Sequence, residues 1–201
     1  MSRRNRVTPF GEITAVPERG TMMGNRGILH DDEGQIRRPW QVKRWLLCVL
    51  EFRGRHRMVM APNRYTELFF LDEAVALAAG HRPCAECRRD RYNAFRRAWN
   101  AEHPPGAVAM DAVLHPARMD RHGRKVTWQS QLASLPNGTF IEFDAAPWLV
   151  WDDALALWTP EGYTRRIGRA AAGPVTVLTP RPIVECLSVG YEPMVHPSLD
   201  G

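Results

Sequence analysis

Leu71-Asp72-Glu73-Ala74-Val75-Ala76-Leu77-Ala78-Ala79-Gly80-His81-Arg82-Pro83-Cys84-Ala85-Glu86-Cys87-Arg88 carries a helix signal followed at once by a metal-ligand signal. The alanine-rich run favours helix, Asp72 is placed to cap its first turn, and Gly80 supplies the residue that ends it. Cys84 and Cys87 have the spacing with which two thiolates grip one face of a tetrahedral zinc ion, the backbone between them turning its amides toward the sulfurs. Redox pairs share this spacing, but they usually open a helix after a strand. Here the pair follows a helix, and the Arg-Pro before Cys84 holds the chain extended on entry. A structural zinc on Cys84 and Cys87 is expected.

Downstream, Arg88 to about Glu102 reads as an amphipathic helix. Tyr92, Phe95 and Trp99 line one face, and Arg89, Arg96 and Arg97 fall largely elsewhere. Upstream, residues 65–71 form a short buried segment. Residues 45–52 read as a strand, with residues 57–60 as its hairpin partner across Arg53-Gly54-Arg55. Residues 27–34 look like a short strand closing in a turn. Residues 1–27 are polar and turn-rich, a loosely ordered arm. Its glycines at 20, 24 and 27 lack the spacing and the Lys-Ser/Thr ending of a phosphate loop.

Pro104-Pro105-Gly106 marks a boundary, beyond which the chain changes character. Residues 139–143, 147–151, 163–167 and 175–178 read as strands, and residues 183–189 as a short helix ending at Gly190. The expected fold is α+β: an arm (1–27), a small zinc module with an added strand pair (28–103) and a small β-rich domain (107–201).

An apolar content of 44% and a charged content of 24% are those of a globular chain, which argues against disorder throughout. The formal charge is +5, and because Lys43 and Lys125 are the only lysines, nearly all the positive charge is guanidinium. An arginine-rich surface favours an acidic partner such as DNA or RNA. No apolar stretch follows Met1-Ser2-Arg3-Arg4-Asn5-Arg6, and no apolar run approaches the length of a membrane span, so a cytoplasmic protein is expected. Two close cysteines with Cys48 and Cys186 apart read as a metal site plus spare thiols.

Residues 71–88 resemble the end of the Ada-type metal-binding domain, in which a helix ends Ala-Gly-aromatic-Arg-Pro-Cys-x-x-Cys. That domain is the zinc module of bacterial alkylation-repair regulators and is also appended to nuclease-like and competence-related proteins. The likeness is tight over 71–88, loose over 28–70 and absent beyond. It implies that Cys84 and Cys87 are the last two ligands of a Zn2+ site and that two more lie upstream, where the candidates are Cys48 and His30. His81 stands in the family's aromatic slot, which argues against it as a ligand, and His56 is a further candidate. The chain lacks the Cys-x-x-x-Cys and the downstream regions that methyl transfer requires, so that activity is not implied.

Arg88, Arg89, Arg96 and Arg97 beside three aromatics suggest a basic helix laid on a phosphate backbone. Asp111 and His115, four apart, would share a helix face and are weak candidates for a metal-dependent nuclease or hydrolase. Trp148, Trp151 and Trp158 would form an exposed patch in a protein-interaction module. The favoured expectation is a non-enzymatic, zinc-binding, nucleic-acid-associated accessory or regulatory protein.

Overall fold

Short extended segments from the first 83 residues assemble into one sheet, as the computed structural model shows for residues 2–55, 58–169 and 173–200. Its strands are β1 (Arg6–Val7), β2 (Ile13–Thr14), β3 (Met22–Asn25), β4 (Leu46–Cys48), β5 (Leu68–Phe70) and β6 (Arg82–Pro83), in the order β2-β1-β5-β3-β4-β6. The expected loose arm therefore supplies three strands. Its glycines permit close approach rather than looseness: a Cβ on Gly24 would lie 2.2 Å from the carbonyl oxygen of Leu46 on the neighbouring strand. The expected hairpin is also corrected. The partners of β4 are β3, antiparallel, and β6, parallel, while residues 58–60 form no strand and residues 56–57 lie outside the described residues.

Helix α1 (Glu73–Ala78) forms where expected, with Asp72 Oδ1 accepting from the Val75 amide at 2.9 Å and Gly80 following at φ +90°. Helix α2 (Arg89–Trp99) also forms as read. Helices α3 (Ala107–Arg118) and α4 (Arg181–Ser188) complete a helical layer. Leu77, Tyr92, Phe95, Met110, Leu114, Ile183 and Leu187 share its apolar cluster. Tyr92 and Phe95 are thus packing residues rather than a base-stacking stripe.

The second sheet contains β7 (Trp128–Gln131), β8 (Phe140–Phe143), β9 (Ala146–Trp151), β10 (Ala154–Thr159), β11 (Gly162–Gly168) and β12 (Pro174–Val177), in the order β11-β10-β9-β8-β12-β7. Period-two alternation sends Phe140, Leu149 and Ala156 to one face and Ile141, Trp148, Val150 and Leu155 to the other. The first set joins Leu47, Leu68, Phe70 and the alanines of α1 in one core, so that core draws residues from both sides of Pro104-Pro105-Gly106. The fold is α+β, and no helix among the described residues is long and apolar enough to cross a membrane.

Candidate metal centre

The same alternation divides the first sheet. Met22, Gly24, Leu47, Leu68 and Phe70 face the core, whereas Met23, Asn25, Leu46, Cys48 and Phe69 face a cavity of about 660 Å³. Leu47 pairs with Pro83 across the parallel β4–β6 ladder, and the Cys84 amide donates to the Leu47 carbonyl at 2.9 Å. One further step along that register sets Cys84 beside Cys48. The turn from Cys84 to Cys87 then closes, with the Arg88 amide donating to the Cys84 carbonyl at 3.2 Å, and carries Cys87 back to the same point.

The three sulfurs lie within 4.8 Å of one another, a group that could hold a metal ion. Tetrahedral zinc with bonds of about 2.3 Å sets sulfurs about 3.8 Å apart, so little movement separates the cluster from a coordinating shell. The Glu86 amide points at Cys84 Sγ at 3.4 Å, as the spacing foretold. Hydrogen bonds from the Cys48 and Cys87 side chains hold the Cys84 thiol below its ordinary value, while the Cys48 thiol, bonded to Cys84 and Cys87 and buried, is raised. Thiolate donors at this spacing, with a backbone amide already aimed at one sulfur, suit a soft divalent ion such as zinc.

His30 is not part of the group. Its Nδ1 lies 2.6 Å from Thr66 Oγ1 and its Nε2 3.3 Å from the Ala61 carbonyl, so the ring pins the loop that enters β5. His56 lies outside the described residues. Among the described residues no other Cys, His, Asp or Glu joins Cys48, Cys84 and Cys87, and all three sulfur-bearing residues line the cavity. Its remaining wall joins apolar Leu46, Phe52 and Phe69 to charged Arg44, Glu51, Arg55 and Glu86 and to the buried Glu67, whose Oε2 accepts from the Met60 amide at 2.7 Å.

The arginine stripe on α2 is largely structural. Arg88 is buried against Glu73 at 3.1 Å, and Arg96 donates to the carbonyls of Pro104 and Pro105, both at 2.6 Å. Only Arg89 and Arg97 of the four are exposed. The two carboxylate oxygens of Asp111 are occupied by Arg82, at 2.8 and 2.7 Å, and His115 stacks edge-on against Trp40. Asp111 thus braces Arg82 and His115 packs on Trp40, and neither belongs to the one metal-ligating group of three or more found among the described residues. Trp148 is buried, and Trp151 and Trp158 pack against the central core, so the three tryptophans form no exposed patch.

Residues 22–25 carry no β-branched side chain and read as turn, so their place as a strand in the cavity wall was not expected. Comparison with protein-family models, with curated proteins and with solved structures finds no match, so the sulfur cluster supports a metal site without tying it to the Ada-type family.

Proposed function

We propose that Cys48, Cys84 and Cys87 hold one Zn2+ through three thiolates and present its fourth position to the adjoining cavity, making the protein a zinc-dependent binder of a small amphipathic molecule. The observation that carries this reading is the position of the three sulfurs on the cavity wall rather than inside a sealed knuckle. A structural zinc is closed by four protein ligands, whereas a site that acts on a ligand keeps one position open. The cavity volume lies within the range of small-molecule sites, and its walls combine apolar side chains with charged ones, as an amphipathic ligand requires. Zinc there would supply a Lewis acid or an electron-rich thiolate. Glu67, held by the Met60 amide, is the buried carboxylate lining the same space.

The test is elemental analysis of the purified chain beside Cys48→Ser, Cys84→Ser, His30→Ala and His56→Ala. Zinc at one per chain, lost from the cysteine variants and retained in both histidine variants, supports the open site. Loss from His56→Ala would make the site closed and return zinc to a structural role. Nucleic-acid association retains support from the +5 charge and from the exposed Arg89 and Arg97. It requires DNA or RNA binding that weakens steeply with salt and falls in Arg89→Ala/Arg97→Ala.

A further inference from the structure

On the opposite side of the first sheet, three cations converge without forming an ion pair among the described residues. The guanidinium carbons of Arg26 and Arg118 each lie 4.1 Å from the ring of the buried Trp45. Each arginine is 1% exposed. Arg26 donates from Nε to His81 Nε2 at 3.0 Å and from Nη1 to the Gly11 carbonyl at 3.0 Å, while its buried Nη2 has no acceptor among the described residues. Arg118 donates from Nη1 to the Gly80 carbonyl at 2.7 Å and from Nη2 to the Lys43 carbonyl, and its Nε is likewise buried without an acceptor. Lys125 lines the same cavity, its Nζ donating to the Ala78 carbonyl at 2.6 Å.

No ion pair among the described residues includes any of the three. Asp111, the carboxylate that acts on Arg118, is already held by both arms of Arg82. His81 adds no charge: its Nε2 accepts from Arg26, so its proton sits on Nδ1 facing the Leu46 carbonyl, and burial disfavours a second one. Buried charges are ordinarily paired, and buried donors ordinarily satisfied. All three cations line one cavity of about 340 Å³, together with Glu12 and Glu142.

We propose that this cavity is a phosphate-binding site, recognising a phosphate group through Arg26, Arg118 and Lys125. A tetrahedral dianion suits it better than a carboxylate. Each arginine has a single nitrogen left to offer, so acceptors must lie in separate directions rather than in the plane of one bidentate fork. The site is independent of the cysteine cluster and stands or falls without it.

Calorimetric titration of the full chain at low ionic strength with inorganic phosphate, phenyl phosphate and acetate tests the assignment. Saturable one-to-one binding of phosphate or its monoester is expected, at least tenfold weaker for acetate. Lys125→Gln, which keeps a donor for the Ala78 carbonyl, should weaken it at least tenfold with the zinc content and circular dichroism unchanged. Glu142→Gln should tighten it. Tighter binding of phenyl phosphate would identify a phosphorylated small molecule as the natural ligand, and tighter binding of inorganic phosphate the free ion. No saturable binding, equal binding of acetate, or binding indifferent to Lys125→Gln overturns the proposal.

Discussion

The phenol of Tyr191 donates to Glu73 Oε1 at 2.5 Å across 118 residues of chain. The other carboxylate oxygen of Glu73 takes Arg88 at 3.1 Å, Arg91 at 3.0 Å and the Met194 amide at 3.1 Å. Beside it, Asp72 Oδ2 accepts from Tyr163 at 2.7 Å and from the His196 amide at 3.0 Å. Two adjacent acidic residues at the start of α1 thus tie the N-terminal sheet to the C-terminal segment and the second sheet. Burial and the Glu73 charge push the Tyr191 phenol up, which keeps it a donor.

Because Glu73 neutralises buried Arg88, the two ends of this network are unequal. Tyr191→Phe removes one hydrogen bond to a charged group and should lower stability by about 1.5–3 kcal/mol. Glu73→Gln strands a buried guanidinium and should cost about 3–5 kcal/mol. Urea unfolding of both variants checks the order, and a Tyr191→Phe loss as large as that of Glu73→Gln would show that Glu73 does not neutralise Arg88.

Metal bound by Cys48, Cys84 and Cys87 would join β4 to the turn after β6, so its removal should loosen the first sheet. The melting temperature should fall on chelation and rise with added zinc, by about 4 kcal/mol of stability at a thousand times the dissociation constant. Cys186→Ser, in the helical cluster, should leave that dependence intact. His30→Ala should leave it intact too, yet lower stability by about 1–3 kcal/mol through the lost bonds to the Thr66 hydroxyl and the Ala61 carbonyl, although the Leu29 amide still donates to Thr66.

The cap at Asp72, the stop at Gly80, the amphipathic α2 and most strands of the second sheet were legible because local chemistry and hydrophobic period agreed there. Of the first sheet only β4 was, inside the strand read at residues 45–52. Its strands are two to four residues long, too short for period two to declare itself, and Met22–Asn25 owes its extended form to neighbours on both sides. The role of Cys48 depended on a parallel register between segments that sequence alone does not pair. The resemblance over 71–88 pointed to Cys48, but it also offered His30, whose partners Thr66 and Ala61 belong to a loop with no signal of its own. The arginines of α2 misled because a surface stripe and a buried brace are identical in composition. Only the burial of Glu73 separates Arg88 from Arg89.

Lys125 provides a pH signature. Burial, with the Arg26 charge adding to it, lowers its ammonium from an ordinary value of 10.5 to about 7. Between those values the unfolded chain binds more protons than the folded one, so the Lys125 contribution should make stability rise with pH from about 7 to 10.5. Below 7 both states are protonated and the contribution is flat. Lys125→Gln should remove this slope, read as the difference between the two stability profiles across that window. A wild-type profile parallel to that of the variant would mean that the ammonium is solvated.

Gly80 joins the helix stop to the cationic cavity. Its φ of +90° is open to glycine, and a Cβ there would lie 2.6 Å from Cδ of Arg118, whose Nη1 bonds the Gly80 carbonyl. Gly80→Ala therefore meets two separate penalties: backbone strain, which no neighbour can relieve, and a collision, which depends on Arg118. The single change should destabilise by more than about 1 kcal/mol. Against an Arg118→Ala background only the strain remains, so the same change should cost less, with a coupling of about 0.5–3 kcal/mol. Denaturant unfolding of the four proteins in the cycle measures that coupling. A coupling near zero would mean that the Arg118 side chain yields freely, in which case its stacking on Trp45 does not fix the guanidinium in the cavity. A clear coupling would mean that the turn ending α1 sets the position of Arg118, and Gly80→Ala should then weaken phosphate binding as well as stability.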